Sequence, residues 1–189
     1  MMLQPTLRVL VAILSIAAAA PAAAQPVDLA PGGFISEIKI GAGMHDVGVF
    51  GTRKEESGVD VNAEVLFASP GFFSFLFSPR PHLGLVWNTA GDTSQLYGGL
   101  TWQYDFEAGM FLAGSLGLAL HDGELDTHRP DRKSLGLRVL FRESLEVGYR
   151  FGEQRRHSMS LMGAHVSNAW LDDQNEGMDT LVVRYGYRF

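Results

Sequence analysis

The sequence predicts an all-β fold, an eight-stranded antiparallel transmembrane β-barrel, on three observations. Apolar and polar residues alternate over successive stretches, with no long helical period. Turn-rich segments such as Thr89-Ala90-Gly91-Asp92 and Gly152-Glu153-Gln154 separate those stretches. The last residues, Tyr185-Gly186-Tyr187-Arg188-Phe189, carry aromatics on one parity up to Phe189.

Residues 1–24 read as an export signal. Arg8 is the early charge, Val9 to Ala20 is an apolar run, and Ala22-Ala23-Ala24 precedes Gln25 as a small-residue cleavage site. The run is too short for a transmembrane helix, which needs roughly 20 residues. Residues 25–189 then form one domain. Cysteine is absent, so an exported chain must hold itself together by backbone pairing and packing. A net charge of −6 offers no basic surface for nucleic acid. Mean hydropathy is close to zero, as expected where lipid-facing and lumen-facing residues alternate.

The strands are expected at 34–45, 58–68, 82–88, 94–105, 110–121, 135–151, 157–168 and 179–189. In the second, Val59, Val61, Ala63, Val65 and Phe67 alternate with Asp60, Asn62, Glu64 and Leu66. In the fourth, Leu96, Gly98, Leu100, Trp102 and Tyr104 alternate with Gln95, Tyr97, Gly99, Thr101 and Gln103. In the sixth, Leu135, Leu137, Val139, Phe141, Leu145, Val147, Tyr149 and Phe151 oppose Arg138, Arg142, Glu146 and Arg150. Residues 69–81, with Phe72, Phe73, Phe75 and Phe77, fit either a membrane-embedded turn or an irregular strand extension. Trp87, Trp102 and Tyr104 read as interface aromatics.

Alternation alone does not say which face is inside. A soluble barrel would bury its apolar face. The polar face here holds Asp60, Glu64, Arg138, Arg142, Glu146, Arg150, Arg184 and Arg188, ions of both signs that pair well in a filled lumen. Together with the closing aromatic strand, they favour the membrane barrel. Eight strands enclose a space just filled by side chains. Function then belongs on the loops or the outer wall.

Parity puts polar groups on that wall. Met159, Leu161 and Gly163 point outward, and therefore so do His165 and Ser167; Leu181, Val183, Tyr185, Tyr187 and Phe189 carry Asp179 with them. Polar groups facing lipid are costly and tend to be functional. All three flank the last external loop, at outer-leaflet height. Residues two apart on a strand are roughly 6–7 Å apart, which an imidazole can bridge to a hydroxyl. His165 can therefore act as base to Ser167, with a carboxylate of the next strand holding its other nitrogen. Groups solvated in the headgroup belt are the blander reading. Glu143 also faces outward by parity, and folding the hairpin about residue 154 sets it opposite His165. It is an alternative orienting acid, or the mark of a bulge that shifts the parity, and the bulge or an interfacial site is favoured.

His165-Val166-Ser167-Asn168-Ala169, followed by Asn175-Glu176-Gly177-Met178-Asp179, resembles the outer-membrane lipid A 3-O-deacylases. His121-Asp122-Gly123, Phe141-Arg142 and Glu146-Val147-Gly148-Tyr149-Arg150-Phe151 add to the match. The resemblance implies an eight-stranded barrel of the cell outer membrane that hydrolyses the acyl ester at position 3 of lipid A. It implies Ser167 as nucleophile, His165 as base and Asp179 as acid, with Asn175 first and Asn168 second as oxyanion donors. A member of that family carries glutamate where this chain has Asp179.

The scheme calls for no cofactor and no metal, and its partners are lipid A and the surrounding outer-membrane lipids. Gly41-Ala42-Gly43 with Gly48 lacks the helix a nucleotide loop needs. His121 and Asp122 with Glu124, Asp126 and His128 match no standard cation spacing. The rival from another class is a non-catalytic barrel, an adhesin or envelope-stabilising protein, whose function would sit on loops such as 122–134.

Overall fold

A computed structural model describes residues 33–48 and 52–189; the expected signal segment 1–24 lies outside the described residues. Eight antiparallel strands close into one barrel in the order β1-β2-β3-β4-β5-β6-β7-β8. They are β1 (Ile35–Met44), β2 (Val59–Phe67), β3 (Arg80–Asn88), β4 (Gln95–Asp105), β5 (Met110–His121), β6 (Val139–Phe151), β7 (His157–Ser167) and β8 (Met178–Arg188). Closure is made by β1 against β8, from Glu37 opposite Arg188 to Met44 opposite Leu181. Every strand thus has two partners and no edge is left in lipid.

The expected inversion of the faces holds. Exposed Val61, Leu83, Leu85, Leu96, Leu118, Val147, Leu161 and Val183 form the outer band. The alternate positions fill the lumen with ions. Glu37 takes Arg80 at 2.8 Å and Arg150 at 3.1 Å, and Lys39 reaches Glu146 at 2.9 Å. Arg184 bridges Glu146 and Glu64, and Tyr97 donates its hydroxyl to Glu64 at 3.0 Å. Such groups tolerate burial only when paired, which is why both signs occur on one face. Toward the end carrying the 122–138 loop, the filling becomes apolar: Val86, Tyr97, Ala119, Leu135, Leu140, Val166 and Met178 form a cluster. Tilted and edge-on ring pairs (Phe34 with Phe67, Tyr104 with Phe106, Tyr187 with Phe189) girdle the opposite rim.

The structure corrects strand bounds and decides between readings left open. The sixth strand begins at Val139, not 135. Gly136 turns there with φ of +73°, which lets Leu135 fold inward as a plug 1% exposed instead of facing lipid. Arg138 consequently lies outside the lumen strand and donates to the carbonyls of His121 and Gly123. Within 69–81, Gly71–Leu76 is a 3-10 turn, not a strand extension, and β3 starts earlier than expected, at Arg80. Phe72, Phe75 and Phe77 are exposed on that turn. The indole N–H of Trp102 donates to the Leu76 carbonyl at 2.8 Å, tying that turn to β4. Finally, the β6–β7 ladder runs without a shift from Phe141 opposite Ser167 to Phe151 opposite His157, so no bulge displaces Glu143.

Candidate active site on the barrel wall

β7 carries His165 and Ser167 on its outward parity, and β8 carries Asp179 on the same face. The registers set His165 directly opposite Asp179 on one side and opposite Glu143 on the other. His165 Nδ1 meets Asp179 Oδ1 at 2.6 Å, the short distance of a charge-assisted bond. Ser167 lies two residues further along the same face, just past the last β7–β8 pair, Val166 with Met178. Behind this wall, Val166 and Met178 are seated in the dry cluster under the Leu135 plug. The strands that carry the site are therefore fixed by packing as well as by backbone pairing.

The site is not bare to lipid, contrary to the reading from parity. His165 is 3% exposed, Ser167 6% and Asp179 0%. Among the described residues, two segments approach it. From the 168–177 loop, Gly177 approaches so closely that a β-carbon there would lie 3.1 Å from His165 Cε1. Its φ of +63° adds a second reason for glycine. From the β1–β2 loop, Thr52 donates its hydroxyl to Asp179 Oδ2 at 2.9 Å. Neither Thr52 nor Gly177 was singled out from the sequence. Thr52 lies 127 positions from Asp179, and no local pattern announces such a contact.

The two asparagines part company. The Asn168 side chain is consumed by the loop, donating to the carbonyls of Leu135 and Gln174 and accepting from Trp170 N–H. Asn175 Oδ1 accepts the backbone N–H of Asn168, the residue after Ser167, at 2.9 Å. Its Nδ2 is buried with no hydrogen-bond partner. An orphaned buried donor is costly unless something supplies an acceptor. The same amide group is tied through its oxygen to the residue after Ser167. Asn175→Ala is accordingly expected to lower kcat by about 10²–10³ with a smaller effect on KM; an unchanged kcat would remove it from the oxyanion site.

Flanking Thr52 is a buried cluster at the ends of β1 and β2. His45 donates from Nδ1 to Asp60 at 2.8 Å and from Nε2 to Glu56 at 2.9 Å. Burial works to lower the His45 pKa, but these two carboxylates outweigh it and bring it up to about 9. Burial works to raise Glu56, yet His45 and the donors of Lys133 and Thr93 bring it down to about 2. The His45 contribution is complete below its ordinary 6.5 and fades as pH rises through about 9. That of Glu56 is complete above its ordinary 4.5 and is lost as pH falls through about 2. The loop is thus clamped throughout mildly acidic conditions. An NMR titration of the His45 imidazole should find its midpoint near 9; a midpoint at the ordinary histidine value would contradict the clamp.

A closed eight-stranded barrel with an apolar outer band and a salt-bridged lumen is the architecture of an outer-membrane β-barrel. The chain belongs to the lipid A 3-O-deacylase (PagL) family, whose model matches residues 58–188. Membership makes it an ester hydrolase of the outer membrane. Among solved structures it is similar to the outer membrane enzyme PagL, with a TM-score of 0.60 and 16% identity over 82% of this chain and all of that one. It is also similar to the Yersinia pestis outer membrane protein Ail in a phospholipid bilayer nanodisc, with a TM-score of 0.49 and 13% identity over 83% of this chain and all of that one. No curated protein matches.

Proposed function

We propose that the chain hydrolyses the 3-O-linked acyl ester of lipid A in the outer leaflet, using Ser167, His165 and Asp179 as a catalytic triad. The observation that carries this reading is the 2.6 Å contact of His165 Nδ1 with Asp179, on the face and strand that also bear Ser167. With Nδ1 engaged by the carboxylate, Nε2 is the nitrogen that takes the Ser167 proton. Ser167 Oγ attacks the ester carbon, and the oxyanion that forms is met by Asn175 Nδ2. His165 then returns the proton to the departing sugar oxygen, leaving an acyl-serine. Water attacks that ester with His165 again as base, and the fatty acid leaves as Ser167 regains its proton.

Location suits an amphiphilic substrate. The site lies at the mouth of the 168–177 loop, where Trp170 and Leu171 are exposed. Apolar side chains at the outer interface can receive an acyl chain while the sugar stays among headgroups. The test is mass spectrometry of purified lipid A after incubation with the protein. Loss of one acyl chain, specifically from position 3, supports the proposal. Intact lipid A, or loss from another position, would overturn it.

A further inference from the structure

Asp179 has two carboxylate oxygens, and each has a different task. Oδ1 takes His165 Nδ1; Oδ2 accepts the Thr52 hydroxyl at 2.9 Å. The terminal torsion of an aspartate is soft and broad. A hydrogen bond to Oδ1 alone restrains that rotation less than a first bond to Oδ1 joined by a second to Oδ2. The second comes from a loop upstream of the family match, which begins at residue 58.

That loop is held on both sides of Thr52. Val47 N–H donates to the Asp179 carbonyl at 2.9 Å, extending the β1–β8 seam to the residue that carries the acid. Asp46 Oδ2 accepts the N–H groups of Glu55 and Glu56, at 2.6 and 3.0 Å. Lys133, from the β5–β6 loop, pairs with Asp46 at 3.4 Å and donates to the Arg53 carbonyl. Glu56 is fixed by His45, Thr93 and the Lys133 N–H. Asp46, His45, Glu56 and Lys133 are all at most 1% exposed. A surface loop seldom commits so many buried charges, and the hydroxyl it delivers meets the candidate catalytic acid.

We propose that Thr52 is a positioning residue for Asp179: the clamped β1–β2 loop presents its hydroxyl to Oδ2 and so fixes the carboxylate against His165. The inference rests on the triad reading above. It makes Thr52 part of the active site, although none of its atoms takes part in a bond change.

The experiment uses the full-length protein in detergent, with purified lipid A as substrate and heat-modifiable gel migration as the check on folding. Thr52→Val keeps the shape and removes the hydroxyl. It is expected to lower kcat about tenfold, ~1.4 kcal/mol, with KM little changed. Thr52→Ala should match it, which covers the case in which the valine variant fails to fold. Thr52→Ser should restore most of the rate, because it returns the donor. In an Asp179→Asn background, Thr52→Val should cost almost nothing more, since residues acting through one contact are not additive. Wild-type kcat in the valine and alanine variants overturns the inference, as does a serine variant as poor as alanine. An undiminished loss in the Asp179→Asn background also overturns it. If Asp179→Asn itself keeps full activity, the triad reading fails; if Asp179→Asn is crippled while Thr52→Val is normal, only the role of Thr52 fails.

Discussion

Ser167→Ala and His165→Ala are each expected to abolish lipid A deacylation, by a factor on the order of 10⁴ to 10⁶, while the barrel still folds. The size follows from chemistry that nothing else in the site can replace. Without Ser167 Oγ no acyl-enzyme forms. Without His165 the hydroxyl keeps its proton and the leaving sugar oxygen receives none. Folding should survive both changes. The backbone bonds of β7 to β6 and β8 do not depend on these side chains, and the apolar cluster behind the wall is untouched. The two losses should also fail to add, since the pair acts as a unit. The assay is release of the position-3 acyl chain by purified, heat-modifiable protein. Appreciable turnover by folded Ser167→Ala would exclude this mechanism.

The second large effect separates two carboxylates that flank one imidazole. Asp179→Asn should lower the rate strongly, whereas Glu143→Gln should change it by less than about tenfold, roughly 1.4 kcal/mol. Both residues sit opposite His165 in register, one on β8 and one on β6, and both are buried. Register alone therefore cannot choose between them. The choice rests on the 2.6 Å contact of Nδ1 with Asp179 Oδ1 and on the Thr52 bond to the other Asp179 oxygen. An orienting acid sets the tautomer and stabilises the charged ring, so its neutral amide costs most of that help. Assaying both variants on one lipid A preparation decides the matter. A crippled Glu143→Gln beside a near-normal Asp179→Asn would move the acid to β6.

Much of this molecule was legible as parity. A strand has a side-chain period of two, so a few apolar positions fix the face of every other residue on it. That rule put Glu64, Arg142, Glu146 and Arg184 inside only because barrel closure and lipid were already inferred from the whole chain. The same rule placed His165, Ser167 and Asp179 together on the outer face, and counting from the hairpin at residue 154 paired Glu143 with His165. Parity failed at 135–138 for a definite reason. A hydrophobic residue in a loop keeps the pattern of a strand by accident, and the positive φ of Gly136 turns Leu135 inward.

What the sequence determined by itself, then, was the barrel, its inverted faces and the wall that carries the candidate triad. Each follows from short-range periodicity. Only the tertiary structure decided that Asp179 holds Nδ1, that Asn175 has an unmatched buried donor, and that Thr52 and Gly177 approach the site. Those facts depend on loops meeting across large separations, Lys133 with Arg53 and Ser134 with Glu176 among them. Loop conformation is set by particular hydrogen bonds and left-handed turns that have no repeating signature in a chain. Periodicity specifies a face; it does not specify which residue arrives from elsewhere to cover it.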